Sequence, residues 1–428
     1  MNGFFDSATE TLDRPGLRAL QLRRVQGLFD EILPRNAFYA RKFGARRRVT
    51  SWDDFSELPF TSKAEIADDQ AQNSPYGTNL TYPLERYVKL HQTSGTTGKA
   101  PIRVLDTAES WDWWARCWGH VYRGAGIGTG DRVFYAFSFG PFIGFWSAYE
   151  GARTVGAMTI PGGGMHTEQR LHAMLDNDVT VLCSTPTYAL RLAEIAEQLG
   201  LDLAGSRVRA TVHAGEPGAS VPGVRARIEQ VYGARCHDHT GMTELGATGF
   251  TCQAQDGVHL IESEFVFEVV DPQTLRPVAN GAQGELVATN LGRAGMPLIR
   301  YRTGDLVRVD ETRCRCGRTL ARLAGGILGR ADDMLVVRGI NVFPSAIEGV
   351  LREFPDVNEF RIEVFSSRSM VELRVLLDPR PGSETDLAEL VANRLQDRLL
   401  LRVPCELVAS GSLPRFELKA RRVVRLTD

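Results

Sequence analysis

Apolar and polar positions along the chain follow different periods in different regions. Residues 1 to about 75 carry apolar residues at helical spacing, as in LRALQLRRVQGLFDEIL, which predicts amphipathic helices that flank the fold and hold no site. From Tyr87 onward, short apolar runs such as YVKLHQ, RVFYAF and VTVLCS alternate with helical segments such as YALRLAEIAEQLG. This alternation predicts a mostly parallel sheet covered by helices.

Two further patterns follow this region. After about Thr251, segments such as FVFEVV and PLIRYRTGDLVRV alternate with turn residues, which predicts an antiparallel β subdomain. Past Arg330, the runs FRIEVF and VELRVLL, a helix from Asp386 to about Leu400 and a strand near Cys405 predict an α+β unit. We expect an α/β protein with a large N-terminal domain, residues 1–331, of parallel α/β sheets plus that subdomain. Residues 332–428 would form a small α+β C-terminal domain.

Composition narrows the classes of function. The chain has 428 residues and a formal net charge of -2, so no strong field would attract nucleic acid or an anionic membrane. No apolar run approaches the roughly 20 residues of a membrane span, and the first residues do not resemble a secretory signal. We therefore expect a cytoplasmic location. The seven cysteines, an odd number, favour reduced thiols or a metal site over a disulfide framework.

Lysine is rare in this chain. Only five of the 50 basic residues are lysines, and Lys419 is the only one beyond Lys99. A lysine retained against this bias is expected where a compact ammonium charge is required and a planar guanidinium would not fit. Lys99 and Lys419 are therefore candidate functional residues.

The segment HQTSGTTGK, residues 91–99, directly follows a predicted strand. Backbone N–H groups and hydroxyls in such a loop converge on phosphate oxygens, and the lysine adds a point charge. Two residues separate Gly95 from Gly98 and Ala100 follows the lysine, so the segment is not a Walker A loop. We predict a phosphate-binding loop, with an ordinary polar loop as the alternative.

Two carboxylates end short glycine-containing segments. Glu244 closes HDHTGMTE and is placed to hold Mg2+ on a triphosphate, because magnesium takes one or two carboxylates and leaves other positions to phosphate and water. A helix-capping Thr-Glu pair is the alternative. Asp305 ends YRTGD, where a carboxylate can accept both hydroxyls of a ribose or simply belong to a β-turn.

Two more motifs are GRADD, residues 329–333, and PRFELK, residues 414–419. The five motifs in this order resemble the adenylate-forming superfamily of acyl-CoA synthetases, luciferases and nonribosomal-peptide adenylation domains. Stretches such as HAGEP, MPLIRYRTGD and GRADDMLVVRGINVFPSAIE look like its phenylacetate-CoA ligase branch. The resemblance implies an acid-thiol ligase that uses ATP and Mg2+ to adenylate an aromatic carboxylic acid and passes the acyl group to coenzyme A.

The resemblance also implies individual roles. The phosphate loop would comprise Thr93, Ser94, Gly95, Thr96, Thr97, Gly98 and Lys99. The adenine wall would be Gly215, Glu216 and Pro217, and the segment flanking the base would be Asp238, His239 and Thr240. Thr243 and Glu244 match the α-phosphate and magnesium contacts, and Asp305 and Arg330 match the ribose contacts. Asp332 matches the hinge of a mobile C-terminal domain, and Lys419 matches the catalytic lysine. The thiol channel would be lined by Val337, Arg338 and Gly339. Thr240 stands where the family often has tyrosine, which removes an aromatic stack on the base.

The acyl pocket is expected near SFGPFIGFWSAYE, because the matching segment of phenylacetate-CoA ligases contributes aromatic walls. Phe137, Phe142 and Ala214 are the candidate lining residues, and core packing is the alternative for both phenylalanines. Four tryptophans at helical spacing are expected to pack in the core: Trp111, Trp113, Trp114 and Trp118.

A second group of residues has the chemistry of a metal site. Cys252, His259, Cys314 and Cys316 supply three thiols and one imidazole, a closed set that suits structural zinc. The C-x-C spacing is tighter than usual, so four reduced surface residues are the alternative. Similar stretches in relatives of phenylacetate-CoA ligase favour zinc.

Two other classes of function stay open. One is an adenylating enzyme that delivers the acyl group to a carrier protein or an amine. The other is a silent nucleotide-binding or zinc-stabilised interaction protein, against which Lys99, Glu244 and Lys419 argue together. We expect small-molecule partners, namely an aryl acid, ATP and CoA, with a homodimer as an open alternative and no nucleic acid or membrane.

Overall fold

The computed structural model describes residues 3–45, 48–93, 101–331, 335–337, 340–367, 370–383, 386–399, 401–416 and 420–426. Its helices are α1 Ser7–Glu10, α2 Arg14–Ile32, α3 Ala37–Phe43, α4 Trp52–Ser56, α5 Lys63–Gln72, α6 Ala108–Gly124, α7 Trp146–Ala152, α8 Thr167–Asp176, α9 Pro186–Gln198, α10 Pro222–Tyr232, α11 Pro344–Leu351 and α12 Leu387–Leu399. Its strands are β1 Tyr87–Gln92, β2 Arg103–Thr107, β3 Arg132–Tyr135, β4 Met158–Pro161, β5 Val181–Ser184, β6 Ala210–His213, β7 Arg235–Met242, β8 Gly246–Thr251, β9 Val258–Leu260, β10 Phe265–Val270, β11 Gln283–Asn290, β12 Tyr301–Asp310, β13 Arg322–Leu323, β14 Gly329–Arg330, β15 Leu335–Val337, β16 Ile340–Val342, β17 Val357–Ser367, β18 Met370–Pro379, β19 Cys405–Leu407 and β20 Val423–Arg425.

A twelve-stranded sheet forms the centre of the large domain. Its order is β10-β11-β12-β13-β9-β8-β7-β6-β5-β3-β4, with β14 beside β12. Strands β3 to β7 pair in parallel, and the strands from β8 onward pair antiparallel. The predicted mixture of parallel and antiparallel structure is confirmed. The antiparallel region continues the parallel sheet through β7.

The central parallel strands are buried because helices cover both faces of the sheet, whereas the edge strand β4 is partly exposed. Every residue of β5 and β6 is buried, as their apolar sequences VLCS and ATVH require. The chain leaves β5 and enters α9, where the Thr185 side chain accepts a hydrogen bond from the backbone of Tyr188 and Pro186 occupies the first turn. The N-terminus of α9 therefore lies at the carboxyl edge of the sheet, where open α/β sheets bind ligands.

The run YVKLHQ forms β1 but does not join the large sheet. It pairs antiparallel with β2 in a separate two-stranded ribbon. Val88 and Leu90 are exposed on it, so only one face of the ribbon is covered. A strand inside a parallel sheet is buried on both faces. The strand assignment is therefore right, and its inclusion in the parallel sheet is wrong.

The C-terminal region forms a separate sheet, as the α+β pattern predicts. Strands β17 and β18 pair antiparallel at the centre of a sheet ordered β19-β18-β17-β20. Helix α12 begins one residue after the predicted start. The buried residues of this region form their own hydrophobic core between Leu335 and Val403. This separate core supports the proposed division of the chain after residue 331.

The N-terminal helices pack against the large domain. Helix α2 buries Leu17, Val25 and Phe29 in the main core. Glu10, at the end of α1, is fully buried and accepts hydrogen bonds from the backbone of Phe5 and from the guanidinium of Arg318. Within the described residues, no helix is long and apolar enough to cross a membrane.

Candidate active site

A cavity of about 880 Å³ lies between the carboxyl edge of the parallel strands and the small domain. Its lining includes most of the described residues predicted for the site: Thr93, Phe137, Phe142, Ala214, Gly215, Glu216, Pro217, Asp238, His239, Thr240, Thr243, Glu244, Asp305 and Arg330. Val337, predicted for the thiol channel, is buried in the core of the small domain. The predicted residues Ser94, Gly95, Thr96, Thr97, Gly98, Lys99, Asp332, Arg338, Gly339 and Lys419 lie outside the described residues.

One side of the cavity carries carboxylates suited to a nucleoside. Asp305 on β12 faces Arg330 on β14, and the Nη1–Oδ1 distance is 3.2 Å. Asp238 accepts a hydrogen bond from the Ser220 hydroxyl, and burial raises the pKa of its carboxyl to about 6. These acceptors can bind hydroxyl or amino groups of a ligand.

Glu216 joins the two domains across this side of the cavity. Its carboxylate accepts hydrogen bonds from the backbone of Thr187 at 2.9 Å and of Ala420 at 3.1 Å. Ala420 immediately follows Lys419 in the sequence, and this hydrogen bond places Ala420 beside a residue that lines the cavity. The structure therefore gives Glu216 a contact with the C-terminal segment in addition to its predicted place in the adenine wall.

Glu244 lies in the turn between β7 and β8. Arg293 donates hydrogen bonds to the backbone carbonyls of Thr243 and Glu244, at 3.3 and 2.6 Å. The same guanidinium binds both carboxylate oxygens of Asp106, at 2.7 and 2.8 Å. Arg293 and Asp106 are both fully buried. A bidentate pair of this kind fixes geometry as well as adding energy, so it holds the turn in place.

Lys63 also belongs to this site, which corrects the prediction that residues 1 to about 75 hold no site residue. It lines the cavity, and its Nζ lies 2.9 Å from Oε1 of Glu244. Thr61 forms a parallel bridge with Tyr301 on β12, which brings the start of α5 to the cavity. The scarcity of lysine applies to Lys63 as well as to Lys99 and Lys419, but it was not used to select Lys63, and nothing local in the sequence linked Lys63 to Glu244.

Aromatic side chains form the opposite wall. The ring of Phe137 meets those of Phe142 and Phe145 edge to face, with centroids 5.3 Å apart in each pair. Gly144 has φ +40°, and a Cβ there would overlap the Phe137 ring, so this turn requires glycine. Phe137 and Phe142 both pack against the main core and line the cavity. Core packing and cavity lining therefore both apply to these two phenylalanines.

Two tryptophans of α6 extend this wall. Trp114 and Trp118 are almost fully buried, as expected for packing residues, but both also line the cavity. Nε1 of Trp118 donates to Oγ of Ser147 at 2.9 Å. The two tryptophans are four residues apart and so lie on one face of the helix. That spacing alone did not show which tryptophans would reach the cavity.

His239 lies on β7, and its imidazole packs against the indole of Trp118 with ring centroids 4.3 Å apart. Its Nδ1 lies 2.8 Å from the carbonyl oxygen of Gly249. Because a carbonyl only accepts, Nδ1 carries the proton of this hydrogen bond. Burial lowers the pKa of the imidazole to about 4, so the ring is neutral near neutral pH. The residue was predicted beside the base, and its ring contacts the aromatic wall.

The four predicted metal ligands come together outside this cavity. Donor atoms of Cys252, His259, Cys314 and Cys316 all lie within 4.8 Å of one another. The Cys252–Cys314 sulfur separation is 3.8 Å, and Cys316 Sγ lies 3.4 Å from His259 Nε2. Tetrahedral zinc with Zn–S near ~2.3 Å and Zn–N near ~2.0 Å separates such ligands by about 3.5–3.8 Å. The donor set therefore fits zinc in chemistry and spacing.

The surroundings of the cluster orient its imidazole. Nδ1 of His259 donates to the carbonyl of Leu320 at 3.3 Å, which leaves Nε2 directed at the thiols. A hydrogen bond from Cys252 lowers the pKa of the Cys316 thiol below its ordinary value. The cluster thus favours a thiolate, which is the form of cysteine that binds metals.

An α/β sheet with a small C-terminal domain closing over a cavity of carboxylates and aromatic rings is the arrangement of an adenylate-forming enzyme. The sequence matches the AMP-binding enzyme family over residues 47–293 and the AMP-binding enzyme C-terminal domain over residues 339–426. It is similar to phenylacetate-coenzyme A ligase of Escherichia coli (strain K12), with 33% identity over 98% of this chain and 97% of that ligase. The chain belongs to the AMP-binding enzyme family, and it is an AMP-forming acid–CoA ligase.

The chain also resembles solved structures over nearly its full length. The chain superposes on 2-hydroxyisobutyryl-CoA ligase in the post-adenylation state with a TM-score of 0.93, at 30% identity, covering 99% of this chain and 92% of that chain. Against the same ligase in the thioesterification state, with the same identity and coverage, the TM-score is 0.75. The two TM-scores therefore differ with the state in which that ligase was solved.

Proposed function

We propose that the chain adenylates an aromatic carboxylic acid of the phenylacetate type and transfers its acyl group to coenzyme A. The observation that carries this proposal is the wall formed by Trp118, Phe137 and Phe142 in the cavity that also contains Glu244. Aromatic walls hold an aryl ring through apolar burial, and each aromatic pair adds about 0.5–1.5 kcal/mol beyond the buried area. The name of the Escherichia coli relative supports the same class of acid.

The proposed reaction has two steps. A carboxylate oxygen of the acid attacks the α-phosphorus of ATP, and the bond to the leaving pyrophosphate breaks to give an acyl-adenylate. The sulfur of coenzyme A then attacks the acyl carbon, and AMP leaves with the electrons of the broken C–O bond. Negative charge accumulates in the first transition state, so donors and cations placed around it lower the barrier.

We propose these roles for the chain's residues in the first step. Thr243 would contact the α-phosphate, and Glu244 would hold Mg2+, which suits a metal that takes one or two carboxylates beside phosphate oxygens. When bound, Mg2+ would offset charge on the phosphates. Lys99 and Lys419 would add positive charge. The proposed nucleoside contacts are Gly215, Glu216, Pro217, Asp238, Thr240, Asp305 and Arg330, which all line the cavity.

The second step would follow a rotation of the small domain about Asp332. The higher TM-score with the post-adenylation state supports the proposal that the described arrangement precedes this rotation. The hydrogen bond from Ala420 to Glu216 holds the C-terminal segment at the cavity in this arrangement. After rotation, the segment Val337, Arg338 and Gly339 would border the thiol of coenzyme A, with Val337 contributing backbone because its side chain is buried. Gating of this hinge type separates two reactions that share one site.

We also propose that Cys252, His259, Cys314 and Cys316 hold one structural zinc ion per chain. The spacing of the four donor atoms supports this assignment. A closed set of four protein ligands leaves no open position for a substrate. The ion would therefore stabilise the fold and take no part in the reaction.

Pyrophosphate release tests the proposed substrate class. The panel contains phenylacetate, benzoate, indole-3-acetate, acetate and 2-hydroxyisobutyrate, each with ATP, with and without Mg2+ and CoA. We expect release to require Mg2+, at least one aryl acid to exceed both aliphatic acids, and CoA to yield the thioester. Faster release with acetate or 2-hydroxyisobutyrate than with every aryl acid would refute the aromatic assignment. Pyrophosphate release without thioester would point to a different acyl acceptor.

A further inference from the structure

Two polar atoms border the indole of Trp118 within the aromatic wall. Nδ1 of His239 is used by the carbonyl of Gly249, and Nε2 has no hydrogen-bond partner among the residues that the structure describes. Oγ of Ser147 accepts from Nε1 of Trp118, which leaves its own hydrogen free to donate. His239 and Ser147 both line the cavity and are 7% and 1% exposed.

Contact with a neutral imidazole whose Nε2 lone pair is free weakens the binding of a purely apolar ligand. Once an acid fills the cavity and displaces water, Nε2 loses solvent and gains nothing from an aromatic C–H. An unsatisfied buried acceptor costs about 1–3 kcal/mol. An aliphatic side chain at residue 239 would hold the same ring without this cost, so the imidazole needs a donor on the ligand.

We propose that the acid carries a hydrogen-bond donor, a hydroxyl or N–H group, on the aromatic part that lies against Trp118, and that Nε2 of His239 accepts its hydrogen bond. This inference rests on the proposed function and narrows its substrate class. Ser147 adds to the argument, because its hydroxyl can donate to the oxygen of a ligand hydroxyl. A hydroxyl can both donate and accept, whereas a methoxy group can only accept.

The first test measures kcat/KM for adenylation by the wild-type enzyme. Phenylacetate is compared with its 2-, 3- and 4-hydroxy, amino and methoxy derivatives, with indole-3-acetate and with mandelate. We expect at least one ring donor to exceed phenylacetate by about tenfold or more and its methoxy counterpart by a larger factor, because a methoxy group leaves Nε2 unpaired. Mandelate places its hydroxyl on the α-carbon. If it alone exceeds phenylacetate, the proposed position of the donor is wrong.

The second test uses variants and scores the ratio of kcat/KM for the best ring donor to that for phenylacetate. His239→Leu should lower this ratio by about tenfold or more, because the acceptor is removed. His239→Gln should retain part of it, because an amide oxygen also accepts. The matched control, Phe142→Leu, removes apolar wall without an acceptor and should lower both values by similar factors.

The outcomes separate the inference from the proposed function. If aryl acids release pyrophosphate but no ring donor is preferred, or if His239→Leu leaves the ratio unchanged, the inference fails and the proposed function stands. If no aryl acid releases pyrophosphate while an aliphatic acid does, the proposed function fails. The wild-type panel shows whether a ring donor is preferred over phenylacetate even if a variant does not fold.

Discussion

At the scale of single residues, the turn that carries Glu244 depends on groups from distant parts of the chain. Arg293 binds the backbone of this turn and neutralises Asp106, and Lys63 pairs with the Glu244 carboxylate. The first pair is fully buried, whereas the side chain of Lys63 is 51% exposed. Burial decides which pair supports the fold, because water screens exposed charges and not buried ones.

Arg293→Met should destabilise the protein strongly. The substitution leaves the Asp106 carboxylate buried without a partner, which costs about 3–5 kcal/mol. The double variant Asp106→Asn/Arg293→Met removes both charges and should recover much of this loss in denaturant unfolding. Adenylation should stay low in both variants, because the carbonyls of Thr243 and Glu244 have lost their donor. Equal stability of the single and double variants would contradict this account.

Lys63→Ala should lower kcat/KM for adenylation by about tenfold, since a positive charge near the phosphates is lost. Its half-exposed ion pair contributes under about 1 kcal/mol, so the unfolding midpoint should change little. Lys42→Ala is the matched control. Lys42 pairs with Glu65, which lies on α5 together with Lys63, and Lys42 does not line the cavity. Equal loss of activity in both variants would show that Lys63 acts only through α5.

At the scale of elements, the proposed zinc site joins the ends of neighbouring strands of the large sheet whose pairing is short. Cys252 follows β8, His259 lies on β9, and Cys314 and Cys316 lie in the loop between β12 and β13. Strand β13 has two residues, and β9 has three. Short strands have few ladder hydrogen bonds, so a metal that closes these loops would contribute a large share of local stability.

Metal analysis of the purified protein should find about one zinc per chain. Cys314→Ser/Cys316→Ser should lose the metal and lower the thermal unfolding midpoint, because two of the four ligands are removed. Cys405→Ser is the matched control, since Cys405 lies outside the cluster and should keep the zinc. Activity per folded molecule should stay within about twofold of the wild type. A folded wild-type protein without zinc would refute the assignment.

At the scale of the whole molecule, the two steps of the reaction would need two placements of the small domain. Lys419→Ala should lower adenylation by at least about 10²–10³-fold, the effect typical of removing one such electrostatic donor. With a synthetic acyl-adenylate and CoA, the variant should form thioester within about tenfold of the wild-type rate, because the lysine has then left the site. Lys419→Arg should restore little, since a planar guanidinium does not replace a point charge. Equal loss in both steps would contradict the two-placement account.

Local sequence determined the fold class and the class of reaction. The alternation of buried strands and amphipathic helices reflects burial of the sheet on both faces, which acts through neighbouring residues and can be read from their spacing. Glu244, in the turn after β7, and Asp305, inside β12, lie in short segments whose residue types indicated their chemistry. The order of these motifs resembles that of adenylate-forming enzymes, and this resemblance predicted that the two residues would share a site.

Tertiary structure alone decided the other parts of the site. Strand β1 lies outside the parallel sheet because it pairs with β2, and the period of apolar residues does not identify the strand with which another strand pairs. Lys63 reached Glu244 through the bridge between Thr61 and Tyr301. The free Nε2 of His239 depends on which ring nitrogen meets the carbonyl of a neighbouring strand. Such contacts join residues far apart in the chain and depend on the direction of each side chain, which sequence spacing does not specify.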